Sequence, residues 1–142
     1  RAVDWLSLFG GFGYIDSEIK ALKADPSFIG NKAPYATEYN LVAGFQVNRP
    51  VNHDLNVIAR GQYTLTGPVW WDVQNTPGTR RDSVALLDAR LGIGNERWEL
   101  TLWAKNLLDK KYVSESAVLL PFLIALYLAP LRQFGVEAKV RF

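Results

Sequence analysis

Arg132-Gln133-Phe134-Gly135-Val136-Glu137-Ala138-Lys139-Val140-Arg141-Phe142 is the stretch that decides the fold. Its even positions, Phe134, Val136, Ala138, Val140 and Phe142, are all apolar; its odd positions are Gln133, Gly135, Glu137, Lys139 and Arg141. Successive side chains of a strand point to opposite faces, so this run makes a strand with one apolar and one polar side.

The same pattern runs backwards through the chain. Trp98, Leu100, Leu102 and Ala104 share one face and Glu99, Thr101, Trp103 and Lys105 the other. Leu87, Ala89, Leu91 and Ile93 oppose Asp88, Arg90 and Gly92. Leu55, Val57, Ala59, Tyr63 and Leu65 oppose Asn56, Arg60, Gln62 and Thr64. Tyr39, Leu41, Ala43, Phe45 and Val47 oppose Asn40, Gly44, Gln46 and Asn48. The first segment is noisier, with Leu6, Leu8, Phe12 and Tyr14 against Ser7, Phe9, Gly11 and Gly13. Short polar turns at 48–53 and 94–97 alternate with long connections at 16–36, 67–82 and 112–131. The expected fold is all-β, an antiparallel meander of about six long strands.

Composition narrows the class. The chain has 142 residues, 49% of them apolar, with 16 basic and 14 acidic side chains. Near balance of charge gives no electrostatic footprint for nucleic acid, so no nucleic-acid partner is expected. The apolar content argues against disorder. Without cysteine there is no disulfide framework and no thiolate metal site. There is no methionine at all, and the sequence begins at Arg1 with no signal segment, which reads as a piece of something longer.

Alternation fits a soluble sheet, whose apolar face is a core, or an outer-membrane barrel, whose apolar face meets lipid while the polar face lines a lumen. Three features favour the barrel. Strands of about 10 residues, when tilted, are long enough to cross a bilayer. Aromatic residues on the apolar face gather toward the strand ends: Tyr14, Tyr39 and Tyr63 at the long-loop end, Trp98, Phe142 and Phe45 at the short-turn end. Short turns on one side and long loops on the other is the asymmetry of such barrels. The run 117–131, apolar but for Pro121, Tyr127 and Pro130, is too short and too proline-interrupted for a membrane helix. It is expected to lie in the last long loop and the start of the last strand and to pack on neighbouring loops, the alternatives being an inward fold or contact with an apolar ligand.

Asn106-Leu107-Leu108-Asp109-Lys110-Lys111-Tyr112 resembles the Asn-Leu-Phe-Asp-Lys-x-Tyr motif that closes the penultimate strand of TonB-dependent outer-membrane receptors. Arg132-Gln133-Phe134-Gly135 and the alternating run to Phe142 resemble the family's last strand. Asn31-Lys32-Ala33-Pro34-Tyr35-Ala36 and Leu8-Phe9-Gly10-Gly11-Phe12-Gly13-Tyr14 are similar to earlier segments of the same barrels. Leu131 separates Pro130 from Arg132, and Thr37 stands where a second Pro is common. The resemblance spans essentially the whole chain. It implies that residues 1–142 are the C-terminal segment of the barrel domain, the last strands of a plugged barrel of about 22 strands. It also implies short turns in the periplasm, long loops outside, and no segment here for the plug or the energy-coupling box. The implied activity is active import of a scarce solute: a siderophore-iron complex, a vitamin or an oligosaccharide. The implied partners are outer-membrane lipid, the N-terminal plug, TonB, the solute, and the barrel-assembly machinery reading the terminal strand. The motif residues carried over are Asn106, Asp109, Tyr112, Arg132, Gly135 and Phe142. A passive porin-like barrel and a soluble β-barrel carrier are the competing readings.

No enzyme, cofactor or metal site is expected. His53, the sole histidine, reads as a solvated turn residue, and carboxylates show no clustering. Gly10, Gly11 and Gly13 lack the following helix of a phosphate loop and read as strand coiling or close approach to a plug. Arg60, Asp88, Arg90, Glu99, Lys105, Glu137, Lys139 and Arg141 are expected on the polar lumen side. Ligand contacts are expected on the long loops, where Trp70, Trp71, Arg80 and Arg81 offer stacking surfaces and cations for an anionic iron chelate or a sugar ring. An interfacial aromatic belt with solvated charges is the competing reading of those four.

Overall fold

The computed structural model describes residues 3–52, 54–120 and 123–142. Six long strands form one antiparallel sheet: β1 (Leu6–Tyr14), β2 (Tyr39–Asn52), β3 (Leu55–Thr66), β6 (Val84–Gly94), β7 (Trp98–Lys105) and β10 (Gln133–Val140), in that spatial order. The meander read from the alternation is thus the observed sheet. Four shorter strands, β4 (Val69–Trp70), β5 (Arg80–Arg81), β8 (Val113–Leu120) and β9 (Leu123–Leu128), build two hairpins outside it.

Register follows the pattern of faces. One polar row runs Ser7, Gln46, Arg60, Arg90, Trp103, Gly135 across all six strands. The neighbouring apolar row runs Leu6, Val47, Ala59, Leu91, Leu102, Val136. A one-residue slip at any pairing would mix these rows, and the sharp alternation specifies against it. Aromatic rings cover glycines across strands on both faces: Phe9 lies over Gly44 and Trp103 over Gly135 on the polar side, Phe45 over Gly61 on the apolar side. A Cβ at any of the three would collide with the ring. Gly10, Gly11 and Gly13 face open space or ordinary contact with Val42, so close packing within the sheet does not account for them.

The two short turns are tied by asparagine. Asn52 Oδ1 accepts from the Asp54 N–H at 3.0 Å, and Asn95 Oδ1 accepts from the N–H groups of Arg97 and Trp98 at 2.8 and 3.0 Å. The first turn is shorter than its polar sequence predicts, because β2 runs on to Asn52. Pro50 is tolerated there: β1 pairs with β2 only as far as Val47, and a register shift at Pro50/Asn52 absorbs the missing donor. His53 lies outside the described residues. The longer β2 also moves Phe45 away from the turn end, to mid-strand between Leu8 and Gly61. Tyr14 and Tyr39 face each other at the long-loop end, with Tyr63 further in, opposite Ala43; Trp98 flanks the second short turn, opposite Val140.

The apolar residues of the sheet do not form a core. Among the described residues the buried hydrophobic side chains are Val69, Val84 and Ala129. Leu8, Phe12, Leu91, Leu102, Phe134 and Val136 are instead exposed, Leu8 and Phe134 at 66% each. No helix among the described residues is long and apolar enough to cross a membrane. The greasy run 117–131 belongs, among the described residues, mostly to the β8–β9 hairpin and not to an irregular loop or the start of the last strand, which begins only at Gln133. It packs in part, with the Ile124 side chain against Gly78, but Leu119, Leu120, Leu123, Leu126 and Leu128 remain exposed.

Candidate functional site

The polar side of the sheet carries a cleft of about 480 Å³ lined by Arg60, Gln62, Asp88, Arg90, Trp103, Lys105 and Glu137. Each polar residue arrives there because it alternates with an apolar neighbour on its strand. The charges interlock. Arg90 Nη2 meets Glu137 Oε2 at 3.0 Å, and Lys139 Nζ meets Glu137 Oε1 at 2.9 Å. Glu99 lies opposite Lys139 in register, accepts from Thr101 Oγ1 at 3.1 Å, and sits 4.0 Å from Arg141. Asp88 accepts from the Asn106 N–H at 2.9 Å. Arg60 reaches Gln62 at 3.1 Å and lies 5.2 Å over the Phe9 ring, while Lys105 lies 5.8 Å over Trp103. Arg60 and Lys105 have no carboxylate within 4.0 Å among the described residues. The eight charged residues assigned to the polar side from sequence therefore gather along it, Arg141 just beyond the end of β10.

The turn after β7 is built by the Asn106 motif. Asn106 is buried with φ 51°, a left-handed conformation that asparagine tolerates better than most residues. Its Oδ1 accepts from the Lys110 N–H at 2.9 Å, and its Nδ2 donates to the Lys110 and Pro130 carbonyls at 2.9 and 3.4 Å. Asp109, also left-handed at φ 52°, donates its N–H to the Asn106 carbonyl at 2.8 Å and stands 4.0 Å from the Arg132 guanidinium. Arg132 in turn lies 5.6 Å over Phe134. The Tyr112 carbonyl accepts from the Ala129 N–H at 3.0 Å, closing the base of the β8–β9 hairpin. These motif residues act on the chain itself: they pin the hairpin to the sheet. Gly135 makes room for Trp103, and Phe142 is exposed beyond the last strand.

The tryptophan–arginine set of the long loops is brought together, but its members turn to one another. Trp70 pairs with Arg80 across the β4–β5 hairpin, and the Arg80 guanidinium lies 6.0 Å over that ring while pairing with Asp82. Arg81 lies 5.8 Å over Trp71 and 5.9 Å over Tyr112, and donates to the Gly67 carbonyl at 3.3 Å. Burial pushes its pKa down, with Tyr112 opposing the shift. Arg80 is thus paired with a carboxylate, while Arg81 is held by two rings and one carbonyl, its Nε without a partner among the described residues.

Sequence reading missed the clamp that joins the first two long loops. Asn75, at φ 53°, accepts from the Lys32 N–H at 2.8 Å and donates to the Lys32 carbonyl at 2.9 Å. Asn31 Nδ2 donates to the Val73 carbonyl at 3.0 Å. Asp72 gathers the other side of the turn, accepting from the Thr76 N–H and the Thr79 hydroxyl. The Asn-Thr-Pro-Gly run at 75–78 signals a turn, but nothing local signals its partner. Tyr35 was also missed; it stacks edge-on against Trp71, with ring centroids 5.6 Å apart.

A family model described as TonB dependent receptor-like, beta-barrel, matches residues 2–107. The chain belongs to the TonB-dependent receptor β-barrel family. Solved receptors share its fold. The ferric yersiniabactin uptake receptor FyuA from Yersinia pestis superposes over 100% of the chain with a TM-score of 0.83 at 21% identity. The siderophore receptor PiuA from Acinetobacter baumannii matches 96% of the chain, TM-score 0.74, at 22% identity. BauA, the ferric preacinetobactin receptor from Acinetobacter baumannii, matches 96%, TM-score 0.70, at 24% identity. The chain spans 22%, 19% and 19% of those three proteins, about a fifth of each.

Proposed function

We infer that this chain is the C-terminal part of the barrel wall of an outer-membrane receptor that imports a ferric siderophore with energy from TonB. The observation that carries the reading is the inverted sheet. Its large apolar side chains are exposed on one face, and its charges interlock on the other. In water such a face would be a large unpartnered apolar patch; in a bilayer it is solvated by acyl chains. The polar face then looks into the lumen, where Arg60 and Lys105 are placed to meet carboxylates or carbonyls of a plug. The turns at Asn52 and Asn95 lie in the periplasm, and the β4–β5 and β8–β9 hairpins stand outside the cell.

The solute class is suggested by the three solved structures, one described as a siderophore receptor and the others as receptors for ferric yersiniabactin and ferric preacinetobactin. Uptake of iron-55-loaded siderophores by cells expressing the full-length receptor tests this. Uptake that vanishes in a TonB-deficient strain supports the reading. Uptake independent of TonB would make the barrel a passive pore, and a detergent-free soluble product would remove it from the membrane altogether.

A further inference from the structure

A crevice of about 530 Å³ separates the β4–β5 hairpin loop from β8, bounded by Tyr35, Trp71, Gln74, Ser116 and Val118, with Asp72 on its wall. The geometry points to this crevice as a binding subsite for an uncharged, ring-bearing group of the imported ligand, and one that excludes an anionic group. The inference rests on the receptor reading above, which makes these loops the ligand-facing end.

Three observations carry it. The first is a fixed aromatic platform. Tyr35 is 61% exposed, yet its backbone is held in a left-handed conformation at φ 61° by its N–H donating to the Trp70 carbonyl at 2.8 Å. A bulky residue in that region is a costly choice, sustained by its surroundings and found most often at binding sites. The rings of Tyr35 and Trp71 meet at 61°, an edge-on pair to which a third ring can add.

The second is an unfilled hydrogen bond. Ser116, a residue of the crevice wall, is 1% exposed, and its hydroxyl has no partner among the described residues. Buried hydroxyls are ordinarily satisfied; this one lies just beneath the wall, and a ligand oxygen or nitrogen pairs with it once the Ser116 rotamer turns toward the crevice. The exposed Gln74 amide supplies a second donor and acceptor.

The third is charge. Among the described residues no basic side chain lines the crevice, and the one carboxylate there is Asp72, which accepts from Thr76 and Thr79. The nearby Arg80 pairs with Asp82 and lies over Trp70, and Arg81 stands outside the crevice lining, over Trp71 and Tyr112, with its Nε unpaired among the described residues. An anion placed here would lose water beside the Asp72 carboxylate, and no basic side chain among the described residues lines the crevice to offset that loss. A neutral ring loses little and gains the stacking surface.

Benzamide and benzoate are near-isosteric probes that differ in charge. Saturation-transfer NMR with each, on the full-length receptor in lipid nanodiscs, tests the subsite. Benzamide is expected to show transfer to its ring protons at least about threefold above benzoate. Val118→Trp, which fills the crevice from an exposed position, and Tyr35→Ala, which removes the platform, should each bring benzamide down to the benzoate level. Heat-modifiable migration on a gel verifies that both variants keep the folded barrel. Benzoate matching or exceeding benzamide overturns the proposal, as does a benzamide signal untouched by both substitutions. Loss of siderophore uptake with the benzamide pattern intact would count against the receptor reading alone. Intact uptake without the benzamide pattern would count against the subsite alone.

Discussion

Asn75 pairs its side-chain amide with both backbone groups of Lys32, as a neighbouring strand would. Two long loops far apart in sequence thereby become one unit at the mouth of the sheet. Asn75→Asp keeps the left-handed backbone tolerable and keeps the acceptor, but turns the donor into a second carboxylate oxygen facing the Lys32 carbonyl. Amide exchange at Asn31–Ala33 should accelerate about tenfold, equivalent to about 1.4 kcal/mol, while exchange in β2 and β3 stays unchanged. Unaltered exchange at those amides would show that the clamp contributes nothing.

The same loop carries an exposed ion pair with a pH window. Lys32 Nζ lies 3.0 Å from Asp16 Oδ1. The hydrogen bond from Lys32 holds the Asp16 carboxyl below its ordinary 3.8, and Asp16 holds the Lys32 ammonium above its ordinary 10.5. A lowered carboxyl contributes stability above the unfolded value and loses it as pH falls through the folded one; a raised ammonium contributes below its unfolded value and loses it as pH rises through the folded one. The pair is therefore intact between about pH 4 and pH 10 and fails on both flanks. Methyl shifts of Ile19 and Ala33 should be flat across that range and move outside it, and Asp16→Asn should abolish the acid step.

Gly135 exists for Trp103. A Cβ at Gly135 meets the indole directly, so Gly135→Val should destabilise the folded barrel by about 1–3 kcal/mol. Trp103→Ala in the same chain should restore most of the loss, because the two sites share one contact. Urea unfolding of the refolded full-length barrel reads this out. Additive losses in the double variant would mean the ring does not occupy the space above the glycine.

Asn106 holds three hydrogen bonds in a left-handed turn. Asn106→Ala removes all three and strains the backbone, with an expected cost of about 2–4 kcal/mol. Asn106→Gly relieves the strain alone and should cost measurably less. Equal costs would show that the hydrogen bonds, not the backbone, decide the turn.

These relationships show where the sequence was readable. The six sheet strands and their register follow from period-two alternation, and both survive in the polar row from Ser7 to Gly135. The polar cleft was legible for the same reason, since alternation places Arg60, Asp88, Arg90 and Glu137 on one side. The loop hairpins were not. β4 and β5 are two residues each, too short for any period. In β8 and β9 the apolar residues occupy both faces toward the tip, which erases the alternation that marks a strand. Trp70, Trp71, Arg80 and Arg81 lie together, but composition cannot show that each cation stacks on a ring of the same set. The Asn75–Lys32 clamp and the Tyr35–Trp71 pair depend on contacts between distant segments, for which a single sequence carries no periodic signal.

The central claim is that the apolar face meets lipid and the polar face a lumen. Nitroxide labels placed one at a time at Leu100, Thr101, Leu102, Val136 and Glu137, in the full-length receptor in lipid bilayers, measure it directly through collision with dissolved oxygen, which concentrates in acyl chains. The account predicts alternation along each strand, with high oxygen accessibility at Leu100, Leu102 and Val136 and low accessibility at Thr101 and Glu137. Uniform accessibility, or high values at Thr101 and Glu137, would contradict it.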